Sequence, residues 1–221
     1  MPRANDGSVP RSSPSYRSSE VRSALLVFGA ILLYGLIHSL LASLRWKAWI
    51  RRTLGETAYR WYRLLYTLWA VLSFLPVLYL PAALPDALLY RIPFPWAWGF
   101  VFVQVVGLAL GAWSLLVTDL WTFLGLPQAL LGRDPEEAEA LTVRGPYRWM
   151  RHPMYTASLL FLWFSPLMTR NSLAFVAGAT LYFLIGGYFE ERKLLAQFGE
   201  PYAAYRRRTP MLLPRRPGPH P

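Results

Sequence analysis

Five apolar segments constrain this chain more than any other feature of its sequence. The first, 24–44, has 21 residues and no formal charge. A helix needs about 20 apolar residues to cross the ~30 Å hydrocarbon layer of a bilayer. The other segments are 64–84, 94–118, 154–169 and 171–189. Because backbone amides cannot stay unpaired in lipid, the sequence predicts an all-α integral membrane protein with about five transmembrane helices, the last two forming a C-terminal hairpin.

The composition excludes several classes of function. Only 16% of the residues are charged, against about 25% in a soluble domain. Cysteine is absent, which excludes disulfides, thiolate zinc sites and a cysteine nucleophile. With three histidines, neither a zinc nor a haem site is expected. The net charge is +11, but the basic residues lie between the apolar segments rather than on one face of a soluble domain. The sequence has no nucleic-acid recognition motif, so nucleic acid is not an expected partner.

The distribution of lysine and arginine predicts the orientation of the chain. Segment 45–63 carries six of them, 119–153 carries four and 190–221 carries seven. Loops on the opposite side carry Arg91 and Arg170, and the flexible N-terminal tail adds four more. Since basic residues concentrate on the cytoplasmic side, the C-terminus is expected in the cytoplasm and the N-terminus outside.

Composition also divides the chain into regions. Residues 1–20 are rich in Ser, Pro and Arg and are expected to be disordered, as are residues 215–221. Between these tails lie a three-helix membrane region, 21–118, and a region with polar motifs, 119–214. The latter includes DPEEAEA, expected to begin a short helix at Asp134. It also includes GEPYAAYRRRTPMLLP, expected to form a tail helix whose arginines contact anionic membrane lipid.

The segment RGPYRWMRHPMY, 144–155, is the first candidate site. Arginines at lipid headgroups and a helix beginning at Pro153 explain part of it. They do not explain Gly145-Pro146, nor the placement of His152 and Tyr155 one turn apart. The polar groups therefore indicate a site at the cytoplasmic end of the fourth apolar segment.

Two further positions are candidates inside or at the edge of the membrane. Glu190-Glu191 ends the last apolar segment, where carboxylates are costly unless paired or hydrated. A helix end that reaches water, with Arg192-Lys193 balancing the charge, is the plain alternative. His38 lies within the first apolar segment and is either a packed, hydrogen-bonded histidine or part of a substrate pocket.

These motifs resemble the isoprenylcysteine carboxyl methyltransferase superfamily. The superfamily pattern is GxYxxxRHPxY, then EE after a helical hairpin, then FGxxYxxY, and all three occur here in order across residues 139–214. In the N-terminal half, IHSLLAS and AYRWYRLLYT resemble the bacterial branch of methanethiol S-methyltransferases and denitrification-associated membrane proteins. The resemblance implies a methyltransferase of the bacterial inner membrane that uses S-adenosylmethionine.

The resemblance also implies roles for particular residues. Region 119–214 becomes the cofactor-binding region, with contacts expected at Glu139, Leu141, Thr142, Tyr147, His152, Pro153, Met154, Tyr155 and Glu190. Arg151 is expected to meet the cofactor carboxylate, and Glu191 or His152 to accept a proton from the substrate. These expectations make Arg151 and Glu191 the predicted catalytic residues.

The methyl acceptor is expected on the membrane side of the cofactor, beside His38 and Gly186. Prenylcysteine enzymes place at the position of Gly186 an arginine that serves the acceptor carboxylate, so a small or lipophilic thiol is the preferred acceptor. A lipid amine or carboxylate comes next. Two alternatives stay open: a membrane reductase of the sterol-reductase type with a nicotinamide cofactor, and a non-enzymatic accessory protein. The glutamate pair argues against the reductase, because a phosphate-rich cofactor favours basic residues.

Overall fold

The computed structural model describes residues 14–118, 120–131 and 141–215. Its helices are α1 (Pro14–Ala42), α2 (Leu44–Ala83), α3 (Ala97–Val117), α4 (Leu120–Leu124), α5 (Leu126–Leu131), α6 (Pro153–Trp163), α7 (Arg170–Phe198) and α8 (Glu200–Arg208), with a 3₁₀ helix at Gly145–Arg148. Two short strands, β1 (Leu88–Arg91) and β2 (Leu167–Thr169), pair antiparallel. Apart from this pair the regular structure is helical, which confirms the predicted all-α membrane class.

Within the described part of the chain, four helices are long and apolar enough to cross a membrane: Tyr16–Ala42, Leu44–Ala83, Ala97–Val117 and Arg170–Phe198. The predicted span 154–169 overlaps α6, whose 11 residues reach only about 16 Å at 1.5 Å per residue. The chain after α6 continues into β2. The count of five spans therefore stays a prediction, while four spans meet the length requirement.

Two boundaries differ from those that the sequence predicts. Helix α1 begins at Pro14, so residues 14–20 are helical rather than part of a disordered tail. The basic segment 45–63 is also helical, as the first half of α2. Helix α2 changes direction at Gly55, whose φ of 82° is a left-handed conformation that glycine adopts without strain. The expected tail residues 1–13 and 216–221, and the helix expected at Asp134, lie outside the described residues.

Polar contacts tie α1, α7 and the β1 region together at one end of the bundle. Glu20, which is 4% exposed, pairs with Arg170 at 2.8 Å. An Asp86 carboxylate oxygen accepts a hydrogen bond from the Asn171 backbone N–H at 2.9 Å. Because a buried carboxylate is costly without a partner, the Glu20–Arg170 pair explains why α1 starts earlier than its apolar run.

Close helix packing fixes the α6–α7 hairpin between α1 and α3. A core of Val27, Ile31, Phe175 and Ala179 joins α1 to α7. A side chain at Gly178 would collide with Ile31, so glycine is required for this approach. On the other side, a Cβ at Gly107 of α3 would lie 2.9 Å from the carbonyl oxygen of Ala157 in α6. The hairpin is therefore held on both faces, and its far end carries the polar motifs.

Candidate functional site

The segment 144–155 folds as a tight turn that leads into α6. Gly145 has a φ of 56°, and a Cβ there would lie 2.9 Å from a methyl carbon of Val117. Pro146 and Pro153 occupy the first turns of the 3₁₀ helix and of α6, where a missing N–H costs nothing. The prediction that α6 begins at Pro153 is confirmed, and Gly145 and Pro146 are explained by the turn.

The C-terminal tail after α8 pairs with this turn along the backbone. The N–H groups of Arg151 and His152 donate to the carbonyl oxygens of Pro210 at 2.9 Å and Met211 at 3.0 Å. The Thr156 hydroxyl donates to the carbonyl of Leu212 at 2.7 Å. A side chain at Gly187 of α7 would collide with Met211, so this glycine permits the close approach of the tail. The tail thus covers the end of the hairpin.

A buried ionic cluster, which we call the Arg151–Glu191 latch, fastens the tail. Arg151 Nε donates to Glu191 Oε1 at 2.7 Å, and the two side chains are 11% and 7% exposed. Arg151 Nη1 donates to the backbone carbonyls of Arg206 and Thr209. Arg206 Nε lies 3.2 Å from Glu191 Oε2. The polar atoms of the two predicted catalytic residues therefore face each other and the tail.

Glu190 has surroundings very different from those of its neighbour. Its side chain is 45% exposed, and its Oε2 accepts a hydrogen bond from the Tyr155 hydroxyl at 2.6 Å. His152 Nδ1 lies 3.5 Å from the same oxygen. The His152 ring stacks on Tyr155 at 5.0 Å between centroids, and Tyr155 stacks on Phe183 at 4.9 Å. The half-exposed Glu190 carboxylate therefore lies beside a stack of three rings.

Two buried polar atoms near the Glu190-Glu191 pair have no hydrogen-bond partner. One is the hydroxyl of Tyr202, a residue 1% exposed. The other is His152 Nε2, which lies 3.4 Å from Glu191 Oε1 without the geometry of a hydrogen bond. Burial and the charge of Glu191 raise the pKa of Tyr202 to about 12, so its hydroxyl keeps its proton. Because an unsatisfied buried polar group costs about 1–3 kcal/mol, both atoms favour a polar ligand here.

Tyr147 lies near both Glu190 and Tyr155, and we call the region among Tyr147, His152, Tyr155 and Glu190 the cleft. Burial and the charge of Glu190 raise the pKa of Tyr147 to about 12. The Tyr205 hydroxyl donates to the Tyr147 carbonyl at 2.6 Å, which fixes α8 to the 3₁₀ helix. The cleft stays open to its surroundings at Glu190. A cavity of about 340 Å³ lies elsewhere, towards the β2 end of the hairpin, beside Met168.

Comparison with known proteins identifies the family of this chain. Residues 102–200 match the family model described as phospholipid methyltransferase. A methanethiol S-methyltransferase of Pseudomonas deceptionensis is 31% identical, with 95% of this chain and 81% of the relative covered. The chain belongs to the bacterial branch of the isoprenylcysteine carboxyl methyltransferase superfamily.

Further relatives agree with that assignment. The methanethiol S-methyltransferase of Crocosphaera subtropica is 29% identical over 93% of this chain and 81% of its own length. Methanethiol S-methyltransferase 1 of Bradyrhizobium diazoefficiens is 28% identical over 93% of this chain and 72% of its own length. No solved structure matches the chain. The chain is a membrane methyltransferase, which sets aside the reductase and the non-enzymatic protein.

The structure of this methyltransferase brings together most of the predicted site residues. Tyr147, His152, Tyr155 and Glu190 surround the cleft, as described above. The remaining predicted cofactor contacts that the structure describes lie in or beside the turn: Leu141, Thr142, Pro153 and Met154, of which Pro153 is buried and the others half-buried. Glu139 lies outside the described residues.

The two predicted acceptor residues lie further along the membrane side. His38 belongs to α1, and its ring centroid is 6.4 Å from that of Tyr182 in α7. A Cβ at Gly186 would meet Tyr182 at 3.9 Å, an ordinary contact. Both positions therefore adjoin Tyr182.

Sequence reasoning missed several side chains of the site. Tyr202 and Tyr205 were not among the predicted site residues, although both belong to the FGxxYxxY motif. Phe183 and Tyr182 carry no motif signal, because aromatic residues are common in apolar helices. The one sequence signal that could have indicated them is their position shortly before Glu190 in the same helix, α7.

Proposed function

We propose that this methyltransferase transfers a methyl group from S-adenosylmethionine to a small thiol. The observation that carries the proposal is the half-open Glu190 carboxylate, set against stacked rings and beside the unpartnered atoms of His152 and Tyr202. The relatives named methanethiol S-methyltransferase support a thiol as acceptor.

The residues of the cleft fit this cofactor, which carries a sulfonium, an ammonium and a carboxylate. The Glu190 carboxylate suits the ammonium, since charge-assisted hydrogen bonds are the stronger kind. The ring of Tyr147 suits a cation, because aromatic rings attract positive charge. The Tyr202 hydroxyl and His152 Nε2 provide polar partners for other groups of the same molecule. When bound, the cofactor supplies an electrophilic methyl group.

The protein contributes alignment and exclusion of water rather than a covalent intermediate. The Arg151–Glu191 latch holds the tail across the cleft end of the hairpin. Its contacts favour a positioning role for Arg151 and Glu191, through the tail. The direct catalytic role assigned to them from the sequence stays a prediction.

The orientation in the membrane is a further part of the proposal. We propose that the cleft faces the cytoplasm of a bacterial cell and that the chain resides in the inner membrane, as the excess of basic residues in 45–63 and 190–221 indicates. Fusions of reporter enzymes that are active on only one side of the membrane test this. Activity of a periplasmic reporter fused after residue 215 would reverse the assignment.

The cofactor site is tested with Glu190→Gln, which keeps the shape of the side chain and removes its charge. The affinity for S-adenosylmethionine, measured by calorimetry on detergent-purified protein, is expected to fall about 10- to 100-fold, the worth of a hydrogen bond to a charged group. Glu200→Gln is the matched control, because Glu200 is 75% exposed and paired only with the exposed Arg207 among the contacts described. Unchanged affinity in Glu190→Gln would refute the site.

The acceptor is tested with methyl-labelled cofactor and a panel of small thiols, lipid amines and carboxylates. Products are measured in both the headspace and the organic phase, so that volatile thioethers are not lost. Labelled thioether is the expected product. Label found only in a lipid product would overturn the choice of a thiol while leaving the cofactor site intact.

A further inference from the structure

A second polar cluster lies within the membrane-spanning part, on the side of α7 that faces α1 and α2. Its members are His38 of α1, Tyr66 of α2 and Tyr182 of α7. His38 Nε2 lies 2.9 Å from the Tyr66 hydroxyl, which also lies 3.1 Å from the backbone carbonyl oxygen of His38. His38 Nδ1 is buried and has no hydrogen-bond partner. The contacts described for the cofactor cleft use neither His38 nor Tyr66.

The contacts of Tyr66 determine the state of His38. A phenol has one proton to donate. If the Tyr66 hydroxyl donates to the His38 carbonyl, the Nε2–H of His38 donates to the Tyr66 oxygen and both hydrogen bonds form. If it donates to Nε2 instead, only one forms. The arrangement with two bonds leaves the proton on Nε2, so Nδ1 is an unprotonated acceptor in a nonpolar environment.

A continuous set of rings connects this acceptor atom to the cofactor cleft. The Tyr182 ring stands edge-on to His38, at 6.4 Å between centroids and an angle of 86°. Tyr182 lies 5.8 Å from Phe183, and Phe183 lies 4.9 Å from Tyr155, whose hydroxyl bonds Glu190. The free Nδ1 atom and the Glu190 carboxylate thus lie at the two ends of one aromatic path.

The backbone supports the same placement of Tyr182. A side chain at Gly35, three residues before His38, would collide with the Tyr182 ring, so this glycine lets the ring lie against α1. The helical turn after Tyr182 carries Gly186, which leaves space beside the ring. A small ligand that displaces the Tyr182 edge would meet aromatic rings and the His38 Nδ1 atom, which has no hydrogen-bond partner in the protein.

We propose that His38 Nδ1 binds the methyl acceptor by accepting a hydrogen bond from its S–H group. This inference rests on the proposed function, whose acceptor is a small thiol. A thiol is an apolar molecule with one weak donor, which matches a site of rings with one lone pair. The thioether product has no S–H, so it loses this hydrogen bond. His38 therefore distinguishes substrate from product at the acceptor site.

Two substitutions distinguish the roles of the two ring nitrogens of His38. His38→Gln places its amide near the position of Nε2, keeps a partner for Tyr66 and removes the acceptor at Nδ1. His38→Asn places its amide near the position of Nδ1 and loses the contact with Tyr66. We expect the KM for ethanethiol to rise about fivefold in His38→Gln, the usual worth of one neutral hydrogen bond. His38→Asn should stay within about twofold of the wild-type KM, because it keeps the hydrogen bond.

The affinity for S-adenosylmethionine is measured in both variants and is expected to be unchanged. A general loss of folding would lower that affinity in both, whereas loss of the acceptor contact changes only the thiol KM, and only in His38→Gln. Equal thiol KM values for the wild type and His38→Gln would overturn the inference, as would a larger effect in His38→Asn.

A second measurement does not depend on turnover. In protein labelled with ¹⁵N-histidine, the Nδ1 signal of His38 is assigned by its loss in His38→Gln. Ethanethiol should shift this signal, and dimethyl sulfide, which has no S–H, should not. No shift, or an equal shift with both, refutes the hydrogen bond. If the wild type binds the cofactor but methylates no thiol, the proposed function fails; if it methylates thiols and only the His38 results are negative, this inference alone fails.

Discussion

Removing Arg151 tests whether the ionic latch holds the C-terminal tail over the cleft. In Arg151→Gln the guanidinium is lost, and with it the bonds to Glu191 and to the carbonyls of Arg206 and Thr209. Glu191, 7% exposed, keeps only Arg206 as an ionic partner of full charge among the described contacts, at 3.2 Å. Breaking a buried pair by removing one partner costs about 3–5 kcal/mol. We expect most of this loss to appear as release of the tail.

Hydrogen exchange measures that release directly. The backbone N–H groups of Arg151 and His152 are bonded to tail carbonyls at Pro210 and Met211. A loss of about 3 kcal/mol in tail docking corresponds to a more than 100-fold rise in the exchange rate at these positions, if exchange follows opening of the tail. Amides in the middle of α3 should be unaffected, because α3 does not depend on the tail.

Two further variants test the same prediction, one as a double substitution and one as a matched control. Arg151→Gln combined with Glu191→Gln leaves no unpaired buried charge, so it should be less destabilised than the sum of the single changes. Arg207→Gln is the matched control, because the Arg207–Glu200 pair is 64% and 75% exposed and such pairs contribute less than about 1 kcal/mol. If Arg151→Gln exchanges no faster than Arg207→Gln, the latch does not hold the tail.

Helix packing and the cleft support two other predictions. Gly178→Ala would place a methyl group against Ile31 in the buried core, so it should lower the free energy of unfolding by about 1–3 kcal/mol. Gly29→Ala, with open space around it, should not, and thermal unfolding in detergent compares the two variants. Tyr202→Phe removes a buried hydroxyl that lacks a partner, so it should leave the stability of the ligand-free protein unchanged or raised. The same change should lower the affinity for S-adenosylmethionine several-fold, and unchanged affinity would exclude Tyr202 from the site.

The sequence predicted the long helices and the ends of the hairpin well, because both depend on local pattern. The uncharged apolar segments predicted the positions of most of α1, α3 and α7. His152, Tyr155 and Glu190 were expected together because each stands beside the end of an apolar run, and two joined helices bring such ends close. The shortness of α6 was not predicted, since the apolar run continues through Ser165-Pro166 into β2 without a change in hydropathy.

The tail was not predictable in the same way. Its backbone pairing with Arg151 and His152 joins residues more than fifty positions apart, and nothing in the local sequence of PMLLP specifies that partner. The assignment of Arg151 to the cofactor followed from its place in the RHP motif. In the structure its side chain is occupied by Glu191 and by tail carbonyls, because a buried guanidinium must satisfy several donors at once.

The different environments of Glu190 and Glu191 follow from helix geometry. Consecutive residues in a helix point about 100° apart, so the adjacent carboxylates on α7 have different surroundings, although each lies near one ring nitrogen of His152. Glu191 points to the tail, where Arg151 and Arg206 neutralise it, and Glu190 points to Tyr155 and the open cleft. The neutralised carboxylate allows the tail to be buried, and the half-open one keeps a negative charge available to a cationic ligand. Exchanging the two roles would require a rotation of α7, which the packing at Gly178 and Gly187 prevents.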